Sequence, residues 1–133
     1  MTATMALIGF AAWTLFLVVL VVSWRVVEVL RGKAANSWGR GSAIASPSFV
    51  TRADHAHANS LENLPIFAAI VLGGSLLGKM PVVDAVACWI LYARIGQSVT
   101  HLIGTSHWLV LIRATFFGIQ VALFGWLLWS LAV

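Results

Sequence analysis

The sequence predicts an all-α membrane protein: four transmembrane helices in an up-down-up-down bundle, forming one domain over residues 1–133. Three observations carry this. Side chains are 61% hydrophobic and only 9% charged, with a mean hydropathy of +0.97, outside the range of soluble globular chains. The apolar residues gather into four runs, each near the roughly 20 residues that span a bilayer core. Only one connection is long, and the tight ones force neighbouring helices to be antiparallel.

The first helix is expected over residues 6–30. Residues 1–24 hold no charge, lack a basic leader and form an apolar run too long for a signal-peptide core, so this is a retained membrane helix. Arg25, Glu28 and Arg31 fall in its last turns; Arg25 and Glu28 have i, i+3 spacing, and Glu28 and Arg31 are expected to snorkel to the interface. The long loop covers residues 32–52 and is rich in Gly, Ser, Asn and Pro. Arg31, Lys33, Arg40 and Arg52 lie in or beside it, four of the eight Lys/Arg, which assigns the loop to the cytoplasm and both termini to the other side. A bacterial inner membrane is the expected location.

The second helix, expected over 53–77, opens with the densest polar stretch, RADHAHANSLENLPIF at residues 52–67. At 100° per residue, Arg52, His55, Asn59, Glu62 and Asn63 share about a third of the circumference, so one face is ionisable and cannot meet lipid. Pro65 removes a backbone donor beside Glu62, and a bend is expected there. After the turn GKMPVVD, the third helix, 82–103, carries Arg94, Gln97, Thr100 and His101; after GTSHW, the fourth, 108–131, carries one charge, Arg113. Trp24, Trp38, Trp108, Trp126 and Trp129 suit interfacial belts, and Gly73, Gly74, Gly96, Gly118 and Gly125 suit close helix contacts. The single Cys88 reads as a buried structural thiol.

Counting about 1.5 Å per residue from the loop end, Glu62 and Arg113 lie roughly 10–15 Å deep, with Arg25 and Arg94 in a similar band. Three arginines and one glutamate in one layer leave an excess of positive charge. Two readings account for it: an anionic ligand, or Glu62 paired with one arginine while the others snorkel. His101, seven residues after Arg94, is a hydrogen-bond donor or base beside that layer, or an interfacial histidine.

No metal site is expected, because His55 and His57 point about 160° apart on a helix. No nucleophile constellation or phosphate loop has the required spacing, and no basic-aromatic pattern suits nucleic acid.

The motifs HANSLENLPIF, YARIGQSVTH and the arginine early in the fourth helix resemble the MAPEG superfamily, membrane-associated proteins in eicosanoid and glutathione metabolism; length and four spans match as well. The resemblance implies a homotrimer that binds glutathione between subunits near the cytoplasmic face. By position, Asn59, Glu62 and Arg94 would hold glutathione, with Arg113 near its thiol and Arg25 as a helix-one arginine of the site. His55 stands where active members often carry an arginine, and His101 where several carry a tyrosine. The implied activity is a glutathione-dependent transferase or peroxidase acting on lipophilic electrophiles dissolved in the membrane, with Arg113 and His101 as catalytic groups. The alternatives are a non-catalytic lipid-binding or scaffold member and a small transporter; the nearby arginines argue against the cationic substrate a transporter would couple to Glu62.

Overall fold

The computed structural model describes residues 1–39 and 46–133, so Arg40, one of the cations assigned to the loop, lies outside the described residues. Four helices follow in order: α1 (Ala3–Leu30), α2 (Ser48–Leu76), α3 (Met80–Ile103) and α4 (His107–Ala132). α1, α3 and α4 are long and apolar enough to cross a membrane. α2 has 29 residues and matches them in length, but its polar opening keeps it below the same apolarity.

The helices alternate in direction. One end of the bundle, the turn end, gathers the start of α1, the α2–α3 turn and the end of α4; the other, the loop end, holds the α1–α2 loop and the α3–α4 link. α3 packs on all three other helices, whereas α1 and α4 do not meet.

α2 starts one turn before the expected residue 53. Pro47 sits at the N-cap in extended geometry, and its carbonyl accepts the Thr51 backbone N–H at 3.1 Å, so Ser48 to Thr51 join the helix. The first turn is then anchored by Arg52, whose Nε donates to the Leu102 carbonyl at 3.0 Å. Loop-like residues were drawn into the helix by a proline that fixes its start and by an arginine that caps its neighbour. The earlier start puts Glu62 fourteen residues, about 21 Å along the axis, from the beginning of the helix. α2 continues unbroken through Pro65.

In lipid the association of helices rests on close packing and hydrogen bonds, because the surrounding tails are as apolar as the core. The main core fills the turn-end half. Phe67 is fully buried between Phe10 and Phe124, with ring centroids 5.8 and 6.1 Å away, and Ile70, Val83, Ile90 and Leu127 pack around them. Gly74 and Gly96 act as the close-contact glycines: a Cβ at Gly74 would lie 2.6 Å from Val83, and one at Gly96 would lie 2.7 Å from the Phe116 ring. Within the chain a Cβ at Gly73, Gly118 or Gly125 would meet nothing within 4 Å, while Gly9, against Leu91, is a further close contact.

Polar clasps finish the turn end. Asp84 Oδ1 accepts the Ala3 backbone N–H at 2.6 Å, capping α1 from α3. Lys79 Nζ donates to the Ser130 and Leu131 carbonyls at 3.3 and 3.2 Å, capping α4. At the loop end, Glu28 is buried rather than snorkelled, held between Arg31 at 3.0 Å and Lys33. Arg25 turns from Glu28 to Asp54 of α2, 4.0 Å away. Cys88 is half-buried rather than enclosed, and carries no disulfide.

Candidate functional site

Three helices place polar side chains around one pocket of about 490 Å³ in the loop-end half. α2 contributes His55, Asn59 and Glu62, spaced to share one face, as the sequence predicts. α3 contributes Gln97 and His101, and α4 contributes Arg113 with Phe117 below it. A tighter crevice shares Asn59, Gln97, His101 and Arg113, and adds Arg94 and Ser98. The volume lies within the range of about 300–1,000 Å³ typical of small-molecule sites.

Arg94 is the extreme residue of the molecule. It is 0% exposed, its guanidinium carbon lies 5.3 Å from the centroid of the Phe10 ring, and its three nitrogens have no hydrogen-bond partner. A cation over an aromatic face gains some attraction, but five N–H donors without acceptors are costly in a dry interior. Glu62 does not neutralise it by contact: among the described residues no ion pair involves Glu62, whose side chain is exposed at the edge of the pocket. Of the two sequence readings, Glu62 paired with an arginine while the others snorkel fails at both residues.

His101 and Arg113 make a direct contact through His101 Nδ1 and Arg113 Nη1. A guanidinium can only donate, so Nδ1 is the acceptor, and in the neutral ring Nε2 carries the proton. That Nε2 is buried and has no partner. His101 therefore lines the pocket with its Nε2–H left to donate. His55 flanks it with ring centroids 6.0 Å apart, whereas His57 Nδ1 lies 3.1 Å from the Thr14 carbonyl of α1, so the two α2 histidines do face different helices.

Gln97 and Gln120 were not given a role by sequence. Gln120, completely buried in α4, donates Nε2 to the Phe116 carbonyl at 3.1 Å and to Gln97 Oε1 at 2.9 Å. The backbone carbonyl fixes which end of the Gln120 amide is nitrogen, and that fixes Gln97: its oxygen faces Gln120 and its NH₂ remains for the pocket. The available signal was spacing, since Gln97 is one turn after Arg94 and Gln120 two turns after Arg113. Within the chain Arg25 does not line this pocket. It lies at a separate groove on α1. Tyr92 is exposed against Trp89, away from the pocket.

A family model, the MAPEG family, matches residues 3–133, essentially the whole chain. The chain belongs to the MAPEG family. It is thus an integral membrane protein of a family concerned with glutathione and eicosanoid metabolism. A search of curated proteins found no match.

Proposed function

We propose that this MAPEG protein is a glutathione-dependent transferase or peroxidase for lipophilic electrophiles that partition into the bilayer, working as a homotrimer. The observation that carries the reading is the pocket itself. An arginine–histidine pair and one carboxylate line a cavity of ligand size, and a buried arginine without acceptors lies behind it in a closed crevice that shares Asn59, Gln97, His101 and Arg113 with it. Such a set offers several cationic and neutral donors and one anionic acceptor, the complement of a zwitterionic peptide with excess negative charge.

Glutathione supplies a thiol that becomes nucleophilic as the thiolate. Arg113 lowers the cost of that anion by its fixed charge, and the His101 contact holds the guanidinium in place. Arg94 and Asn59 orient the peptide, and Glu62 takes the ammonium. Phe117, Val110 and Ala114 give the pocket an apolar wall, which suits an apolar substrate beside the thiol. His101 in the place of a tyrosine supports the second reading, a non-catalytic lipid-binding member, since imidazole is a weaker acid-donor to sulfur than phenol is in that position.

Calorimetry of glutathione with the detergent-purified chain, alongside thiolate absorbance, tests the proposal. Binding should be lost in Glu62→Gln and Arg94→Ala. Arg113→Ala should bind within a few fold but lose the thiolate signal and lower turnover by about 10²-fold. Absence of binding at millimolar glutathione would transfer the site to the lipid-binding reading.

A further inference from the structure

The sharpest unexplained feature outside the pocket is a groove of about 210 Å³ at the loop end of α1. Val22, Val26, Val29 and Leu30 line it along one helix face, and Ala35 and Trp38 close it from the segment that folds back after α1. The segment is held down by an edge-to-face contact of Trp38 with Trp24, centroids 5.4 Å apart, and by Lys33, paired with Glu28 and lying 5.8 Å from the Trp24 ring centroid. Among these apolar walls sit two donors without acceptors: Arg25 Nε and Trp38 Nε1 are both buried and make no hydrogen bond.

Unpaired N–H groups in an apolar groove call for an acceptor that arrives with apolar matter attached. Depth says which. α1 has 28 residues, about 42 Å, against a hydrocarbon core of about 30 Å, so its last turn stands beyond the core and Arg25, about 7.5 Å before Leu30, lies just inside it, where its long side chain reaches the headgroup level. Charge says the rest: Arg25, Arg31 and Lys33 face Glu28 and Asp54, which leaves one positive charge around the groove. Val22, Val26 and Val29 are themselves exposed on the surface of the chain.

We infer that this groove is a binding site for an anionic phospholipid of the surrounding leaflet, an acyl chain lying on the α1 valines and a phosphate oxygen accepting from Arg25 Nε and Trp38 Nε1. The site is independent of the glutathione reading, because Trp38 lies outside the pocket and the lipid needs none of its residues.

Native mass spectrometry of the full chain released from detergent containing phosphatidylglycerol or phosphatidylcholine with identical chains tests it. Both lipids bring the phosphate oxygen, but only phosphatidylglycerol brings net negative charge to a groove with one positive charge in excess, so the parent should retain phosphatidylglycerol several fold better, the factor of about 1 kcal/mol per cation near an anionic headgroup. Arg25→Gln should bring the two lipids to parity, and Trp38→Phe, which keeps the ring and removes only the N–H, should lower retention of phosphatidylglycerol several fold while glutathione binding stays at the parent value. Equal retention of both lipids by the parent, or an unchanged ratio in both variants, would overturn the inference.

Discussion

The two halves of the bundle are built from the same four helices and solve opposite problems. Toward the turn end most demands are met: Phe67 is wedged between two rings, Gly74 lets α2 and α3 touch, and Asp84 and Lys79 satisfy the ends of α1 and α4, with Trp13 Nε1 left unpaired. Toward the loop end the demands are left open, with Arg94, His101 Nε2, Ser60 and Ser98 buried and lacking acceptors or donors. In a membrane, where packing and hydrogen bonds hold helices together, such a contrast divides the labour. One half supplies the stability that lets the other carry unmet polar groups for a ligand.

Breaking the open half should cost function without costing the fold. Arg94→Met removes a buried, unpaired charge and keeps comparable bulk, so glutathione binding should weaken by about 100-fold or more, about 3 kcal/mol, while the thermal midpoint of the ligand-free protein stays level or rises. Calorimetry and a melting curve on the same sample check both; a lower midpoint with intact binding would show that Arg94 serves the fold.

Breaking the closed half should do the reverse. Phe67→Ala opens a cavity between Phe10 and Phe124 and should cost about 2 kcal/mol of stability, below the value for a soluble core because lipid removes the transfer contribution. Glutathione affinity measured well below the new midpoint should stay within a factor of about two.

Gly96→Ala lies where the halves meet. The added methyl would sit 2.7 Å from the Phe116 ring, whose carbonyl holds Gln120, so the cost of overpacking should be about 1–2 kcal/mol together with a several-fold rise in the glutathione dissociation constant. A stability loss alone would show that the Gln120–Gln97 bond tolerates the shift. The smallest effect is expected at Asp84→Ala, which removes the cap on α1 across the bundle and should lower stability by about 1 kcal/mol and leave binding untouched. Denaturation in mixed micelles resolves a change of that size.

Much of the site was legible because helical periodicity is strict. His55, Asn59 and Glu62 share a face by spacing alone, and the antiparallel order follows from short turns, so meeting Arg94, His101 and Arg113 in one half needed only arithmetic. The count slipped where the start of a helix was at issue. Ser48 to Thr51 have loop chemistry, and only Pro47 at the cap and Arg52 bonded to α3 draw them into α2.

What the sequence determined by itself was the class and the inventory: a membrane bundle, a polar second helix, and more arginine than carboxylate in one layer. These depend on local periodicity and on the cost of charge in lipid, which need no knowledge of rotation between helices. Tertiary structure alone decided who meets whom. It sent Arg25 to Asp54 and a groove of its own, buried Glu28 between two cations, left Glu62 without an ion partner among the described residues, and recruited Gln120 to aim Gln97. Pairing depends on how each helix is turned about its axis, and that angle is set by contacts such as Gly74 against Val83 and Gly96 against Phe116, which no single run of residues contains.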